Sequence, residues 1–283
     1  MARFTNQAQL RYGNSVANSN IAVGEILEVL SATKTAVGNS YKQDDSITYV
    51  VSIVNSGTTP ITGLTLTDNL GAYAFGATTL LPLTYIEGTI VYYVNGVLQA
   101  VPTVTPGPPL TVTGISVPAG GNATIIYETR TNEFAPLAPG SEITNTATIS
   151  GTGLTAVAVQ ETIAVESEPL LTIAKSVSPV PVTENGTLTY TFLIRNNGSA
   201  GADADTGIVI TDTFNPILRN LTASYNGTTL TAGTDYTYDE TTGEFATVAG
   251  KITVPAGTFT QDTTSGIWNV NPGTGTLIVT GTI

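Results

Sequence analysis

Neither histidine nor cysteine occurs anywhere in the 283 residues. Their absence excludes imidazole general bases, Ser–His nucleophile pairs, cysteine nucleophiles and zinc or copper sites built on His or Cys. It excludes disulfides as well, so cysteine usage is silent about the redox compartment. Charge is scarce too: charged residues make up 11% of the chain, against roughly 25% in an average soluble domain. Of these, 9 are Lys or Arg and 21 are Asp or Glu, a net charge of −12. A protein that tracks phosphates needs a basic face, so a nucleic-acid partner is not expected. Apolar runs are broken by Thr, Ser, Gly or Asn well short of the roughly 18 residues of a membrane span. The opening stretch, MARFTNQAQLRYGNS, lacks an apolar h-region and a small-residue cleavage site. The chain is therefore expected either to be made without a leader or to have lost one before residue 1.

What is present is a β pattern. Gly and Pro, 29 and 15 residues, separate short Thr- and Val-rich runs that alternate with period two. SITYVVSIVNSG, GLTLTDNL, GTIVYYVNG, NATIIYETR and EITNTATISG all read as strands closed by turn residues. Asn95-Gly96 and Asn226-Gly227 are hairpin signals. No amphipathic helix is evident, so the expected fold is all-β, built of sandwiches.

The chain also repeats itself. ITYVVSIVNSG (Ile47 to Gly57) matches LTYTFLIRNNG (Leu188 to Gly198), and GLTLTD (Gly63 to Asp68) matches GIVITD (Gly207 to Asp212). YVNG, VPAG and ATIIYET recur in the same order as SYNG, VPAG and GTLIVTG. Two copies of one sandwich follow, with the boundary near Glu166. The series K…VTY…VxNxG…VTD…VPAG…ITNTATI resembles the "domain of unknown function eleven" repeat of bacterial and archaeal surface proteins, over nearly the whole chain. That resemblance implies tandem immunoglobulin-like sandwiches in a cell-surface or fibrous protein, and it implies no enzymatic activity.

The repeat is out of phase with the chain. Copy one closes with ITNTATISG (Ile143 to Gly151), whereas copy two stops after TLIVTGTI with no equivalent. FTNQAQL, at Phe4 to Leu10, is an ITNTATI look-alike standing before copy one. Downstream, IAVGE at Ile21 resembles IAVES at Ile163, and LSATK at Leu30 resembles LTIAK at Leu171. The expected organisation is an N-terminal donor strand and linker (1–23), a first sandwich (24–165) and a second, incomplete sandwich (166–283). A sandwich short of a strand leaves unpaired backbone and an open apolar groove, and an inserted extended segment repairs both. Spacing places the donor, Phe4, Asn6, Ala8 and Leu10, in the second sandwich of another subunit. The partner is thus another copy of this chain, in a head-to-tail contact that need not close and so propagates. The plainer expectation is a frayed terminus beside a shortened sandwich.

Alternation also puts three polar residues on the apolar face. Lys34 lies with Leu30, Ala32 and Ala36, and Lys175 with Leu171, Ile173 and Val177. Asp68 lies with Leu64 and Leu66, and Asp212 with Ile208 and Ile210. Asn145 lies with Ile143, Ala147 and Ile149, and Asn6 with the donor residues. An inward Lys, Asp and Asn resemble the isopeptide triad of Gram-positive pilin domains. Burial would lower the Lys pKa and raise that of the acid. Neutral amine could then attack the Asn carbonyl while the acid shuttles protons, releasing ammonia without a cofactor. The expected sets are Lys34, Asp68 and Asn145 within one chain, and Lys175 and Asp212 with Asn6 between chains. The plainer reading is a Lys–Asp ion pair, with Asn satisfying turn backbone.

Weaker signals remain. Asp203 and Asp205, in GADADTG, have calcium-like D-x-D spacing but no third carboxylate nearby, so a solvated loop is expected. The N-x-S/T sequons follow from a Thr- and Asn-rich composition, and no phosphate-binding loop precedes a helix. The functional expectation is a structural subunit of an extracellular, cell-surface or spore-surface filament. A surface adhesin or carbohydrate-binding module comes second, although its loops lack aromatics. A carboxylate hydrolase comes last, because it would need two inward acids in one cleft.

Overall fold

A computed structural model describes residues 2–26 and 29–283. The described chain is strands throughout, with a single 3-10 turn at Ala204–Thr206 and no α-helix. Accordingly no helix among the described residues is long and apolar enough to cross a membrane. Contacts divide it into two compact units. The first comprises Met1–Asn39, Asp44–Asn132 and Thr144–Ile163; the second comprises Ser40–Gln43, Glu133–Ile143 and Ala164–Ile283.

Two six-stranded sheets carry the first copy of the repeat. One runs in the order Val97–Gln99, Val91–Val94, Asn122–Thr131, Ser46–Asn55 and Leu30–Val37, with Leu83–Tyr85 also on Asn122–Thr131. Its central strand reads SITYVVSIVN, and Ile47, Tyr49, Val51 and Ile53 are buried while the residues between them are not. That is the period-two pattern of a strand with one wet face. The other sheet runs Thr103–Thr105, Leu110–Val117, Ile61–Asp68, Glu142–Ser150, Val157–Val165 and Ser40–Tyr41. Both Asn-Gly pairs form the expected tight turns: Asn95 and Gly96 have φ of 49° and 77°, Asn226 and Gly227 of 48° and 82°. Positive φ at both central positions is the twist that suits a two-residue hairpin.

The second copy repeats five of the six strands of the first sheet in the same order, without a counterpart of Leu83–Tyr85 among the described residues: Thr228–Thr229, Arg219–Tyr225, Gly273–Thr282, Thr187–Asn196 and Leu171–Ser178. Its other sheet has three strands, Tyr236–Tyr238, Glu244–Thr247 and Thr211–Thr213, and stops there among the described residues. The counterpart of the eight-residue Ile61–Asp68 strand is three residues long. It has a neighbour on one side only, so half of the bonds that would extend it are unmade. In the first copy two long strands follow at this place, Glu142–Ser150 and then Val157–Val165, with the two-residue Ser40–Tyr41 beyond them. Sequence reading counted one absent strand; the sheet order shows two long strands without a counterpart among the described residues. Val157–Val165 was missed because it is half-exposed and buried only at Ile163.

The NxG asparagines of the repeat are structural. Asn55 is fully buried. Its Nδ2 donates to the carbonyls of Thr59 (2.8 Å) and Pro118 (3.1 Å), and its Oδ1 accepts from Gly57 N (2.9 Å). Asn196 bonds Ala200, Pro255 and Gly198 in the same way. Asn55→Ala strands these groups and is expected to destabilise the first unit by about 2–3 kcal/mol, read as an earlier denaturant midpoint.

Candidate functional site: a buried lysine and an open sheet edge

Lys34 projects inward from the first strand of its sheet and is 4% exposed. Its Nζ lies 2.5 Å from Asp68 Oδ2 and 4.6 Å from the centre of the Tyr49 ring. Asp68 is fully buried at the end of the Ile61–Asp68 strand. Its Oδ2 also accepts from the Tyr127 hydroxyl, and its Oδ1 accepts from Leu70 N at 2.9 Å. Asn145, fully buried, comes in from the neighbouring strand, where Ala147 stands opposite Asp68. Its Oδ1 accepts from Gly71 N at 3.2 Å, while its Nδ2 has no hydrogen-bond partner. The three residues expected from sequence to share the inward face of the first copy are thus all buried there.

Burial lowers the Lys34 pKa, and the Asp68 carboxylate works against that shift. Burial raises the Tyr49 and Tyr127 pKa values, with the Asn145 amide close enough to both phenols to temper the rise. Both phenols therefore stay neutral, and Tyr127 acts as a donor to Asp68. Burial disfavours the charged form of Lys34, so the neutral amine is reached at lower pH here than at the surface. A buried amine, a carboxyl group beside it and an amide whose oxygen is held by a backbone N–H are the groups that amide transfer needs. Sequence reading missed Tyr49, Tyr127 and the Gly71 N–H. The signal for the phenols was a polar-tipped aromatic on an inward strand face; a backbone donor leaves no sequence signal.

In the second copy Lys175 occupies the same register position. Lys34 stands opposite Val51, and Lys175 stands opposite Phe192. Lys175 Nζ is ion-paired with Asp212 Oδ2 over the rings of Tyr190, Phe214 and Phe192, at 4.6, 5.3 and 5.5 Å. Asp212 Oδ1 accepts from Thr213 N at 2.9 Å. The pair is assembled, but nothing closes over it. Lys175 is exposed, Ile173 is 56% exposed and Val177 39%, although alternation puts all three on the inward face. No inward asparagine stands beside them among the described residues of this unit. Val279, opposite Tyr190, takes the place of Tyr127, opposite Tyr49.

Asn6, Phe4, Ala8 and Leu10 are all exposed, Phe4 by 55% and Leu10 by 62%. They belong to a long antiparallel hairpin rather than a lone strand. Ala2–Asn6 pairs with Ala22–Ile26, and Gln9–Tyr12 pairs with Ser15–Asn18. Asp203 is the N-cap of the 3-10 turn, its Oδ1 accepting from Asp205 N and Thr206 N at 3.0 and 3.2 Å. Capping accounts for the D-x-D spacing. The described residues hold no group of three or more acidic side chains able to hold a metal ion.

No family model matches the sequence, and no curated protein does. Among solved structures, the chain is similar to BcpA, the major pilin subunit of Bacillus cereus, with 12% identity over 96% of this chain and 73% of that one (TM-score 0.35). It is similar to a C-terminal fragment of the major pilin GBS80 of Streptococcus agalactiae, with 11% identity over 51% and 58% (TM-score 0.32). It is also similar to AvmM, which catalyses macrocyclization in alchivemycin A biosynthesis, with 12% identity over 51% and 92% (TM-score 0.30). Pilins and an enzyme stand together here, so these likenesses do not separate a structural role from a catalytic one.

Proposed function

We propose that this chain is a structural subunit of an extracellular filament, polymerising head-to-tail by lodging its N-terminal segment in the second unit of the next subunit. The observation that carries this reading is the open edge beside Thr211–Thr213, where the inward residues Ile173, Lys175 and Val177 face water. Meanwhile the segment whose sequence fits that edge, Phe4 to Leu10, has its own apolar residues exposed. In the first copy Ala147 faces Asp68 and Ile149 faces Leu66. The same register sets Ala8 opposite Asp212 and Leu10 opposite Ile210, and brings Asn6 over Lys175.

Two covalent locks belong to this reading. Within a chain, Lys34 Nζ attacks Asn145 Cγ. The new C–N bond forms, the bond to Nδ2 breaks, and Asp68 gives a proton to the leaving ammonia and recovers one from the attacking nitrogen. Between chains, Lys175, Asp212 and the incoming Asn6 react likewise.

Removing residues 1–12 is expected to give a folded chain that stays monomeric by negative-stain imaging and size-exclusion chromatography. Phe4 and Leu10 contribute about 1.5–3 kcal/mol each to docking when fully buried. Fibres from the truncated chain would sink strand donation.

A further inference from the structure

We infer that what is donated is the whole hairpin, residues 2–26, inserted as a preformed two-stranded unit into a gap two strands wide. The inference rests on the strand-donation reading and specifies its partner surface. The sheet of the first copy carries two long strands beyond Ile61–Asp68, Glu142–Ser150 and Val157–Val165, with only the two-residue Ser40–Tyr41 outside them, whereas the second copy has nothing beyond Thr211–Thr213 among the described residues. A lone inserted strand would exchange one bare edge for another, leaving a new row of unpaired N–H and C=O groups.

The two faces of the hairpin differ in the way such a fit requires. Directly paired residues of an antiparallel ladder share a face. One face sets Phe4 against Gly24, Asn6 against Ala22, Leu10 against Ala17 and Tyr12 against Ser15. Bulk therefore sits on the first arm and small residues on the second. The ring of Phe4 lies across Gly24 so closely that a Cβ there would fall 2.3 Å from its Cζ. The other face pairs Thr5 with Val23, Gln9 with Asn18 and Arg11 with Val16, and is mostly polar. In the first copy the analogous strands divide the same way: Ile143, Asn145, Ala147 and Ile149 are buried, while Val157–Val165 stays half-exposed. The first arm thus supplies core and the second arm supplies the edge. Because the arms are already paired in the free chain, docking need not break the Ala2–Asn6 ladder.

A chain without cysteine allows a direct test. Thr5→Cys/Val23→Cys, on the polar face, ties the arms together when oxidised as a dilute monomer before assembly. Gln9→Cys/Asn18→Cys is the second pair, used where the first fails to close. Unchanged fibre yield from the reduced and oxidised forms, with no fibres from a chain lacking residues 2–26, is the expected result. Fibres from the reduced form alone would mean that the first arm peels away and inserts by itself, which overturns hairpin donation and leaves strand donation standing. Fibres from the chain lacking residues 2–26 would overturn strand donation itself.

Discussion

Wild-type fibres boiled in detergent are expected to run as a ladder of monomer multiples, and Lys175→Ala or Asn6→Ala fibres as monomer alone. The difference is expected to be all-or-none because the two kinds of junction differ in kind. A docked strand is held by burial and hydrogen bonds, which denaturant removes, whereas an amide survives it. Lys175 and Asp212 already touch over an aromatic floor, but the pair faces water and has no carbonyl beside it among the described side chains of its unit. Docking would cover it and supply the carbonyl together, so the bond would form only at a correctly seated junction. Both variants keep Phe4 and Leu10 and should still assemble. A wild-type preparation that boils down to monomer would leave the junction held by burial alone.

The second large effect concerns the first unit. Native protein is expected to weigh one ammonia less than its sequence, with a fragment linking Lys34 to Asn145 on proteolysis. Lys34→Ala and Asn145→Ala should each restore the full mass. By the chain-entropy account of cross-links, closing a loop of roughly a hundred residues is worth about 4.7 kcal/mol. At roughly 2–4 °C per kcal/mol, Asn145→Ala should lower the midpoint of this unit by on the order of 10 °C. Lys34→Ala should cost more, since it also empties the space that the buried Lys34 side chain fills beside Asp68. The pH dependence has a definite sign. Burial holds the Lys34 pKa below that of an ordinary lysine, so the reactive amine accumulates as pH rises through that depressed value. Ammonia release from freshly refolded chain should therefore quicken with pH and level off before ordinary lysines titrate. In Asn145→Ala, which cannot react, the same shift makes the unit more stable as pH rises from the folded pKa toward the unfolded one. A full mass in mature protein would refute the bond.

Much of this could be read without coordinates. The period-two runs, the Asn-Gly turns and the doubled motifs specify two all-β copies because strand faces and tight turns are local properties of sequence. Alternation likewise turned Lys34, Asp68 and Asn145 inward, each on its own strand, and all three are buried. Other features depended on neighbours distant in the chain. That Val157–Val165 is a sheet strand, and hence that two long strands lack a counterpart among the described residues of the second copy, follows from its pairing beside the Glu142–Ser150 strand, which a half-exposed strand's weak apolar pattern does not announce. That residues 2–26 fold back on themselves depends on a cross-strand register, Phe4 on Gly24, with no period in the sequence. The Tyr127 hydroxyl on Asp68 and the Gly71 N–H on Asn145 are long-range contacts, the second made by a backbone group that every residue but proline shares. Sequence determined which residues face inward; only the tertiary structure decided which of them are covered, because covering Lys175 takes strands that its own unit does not show.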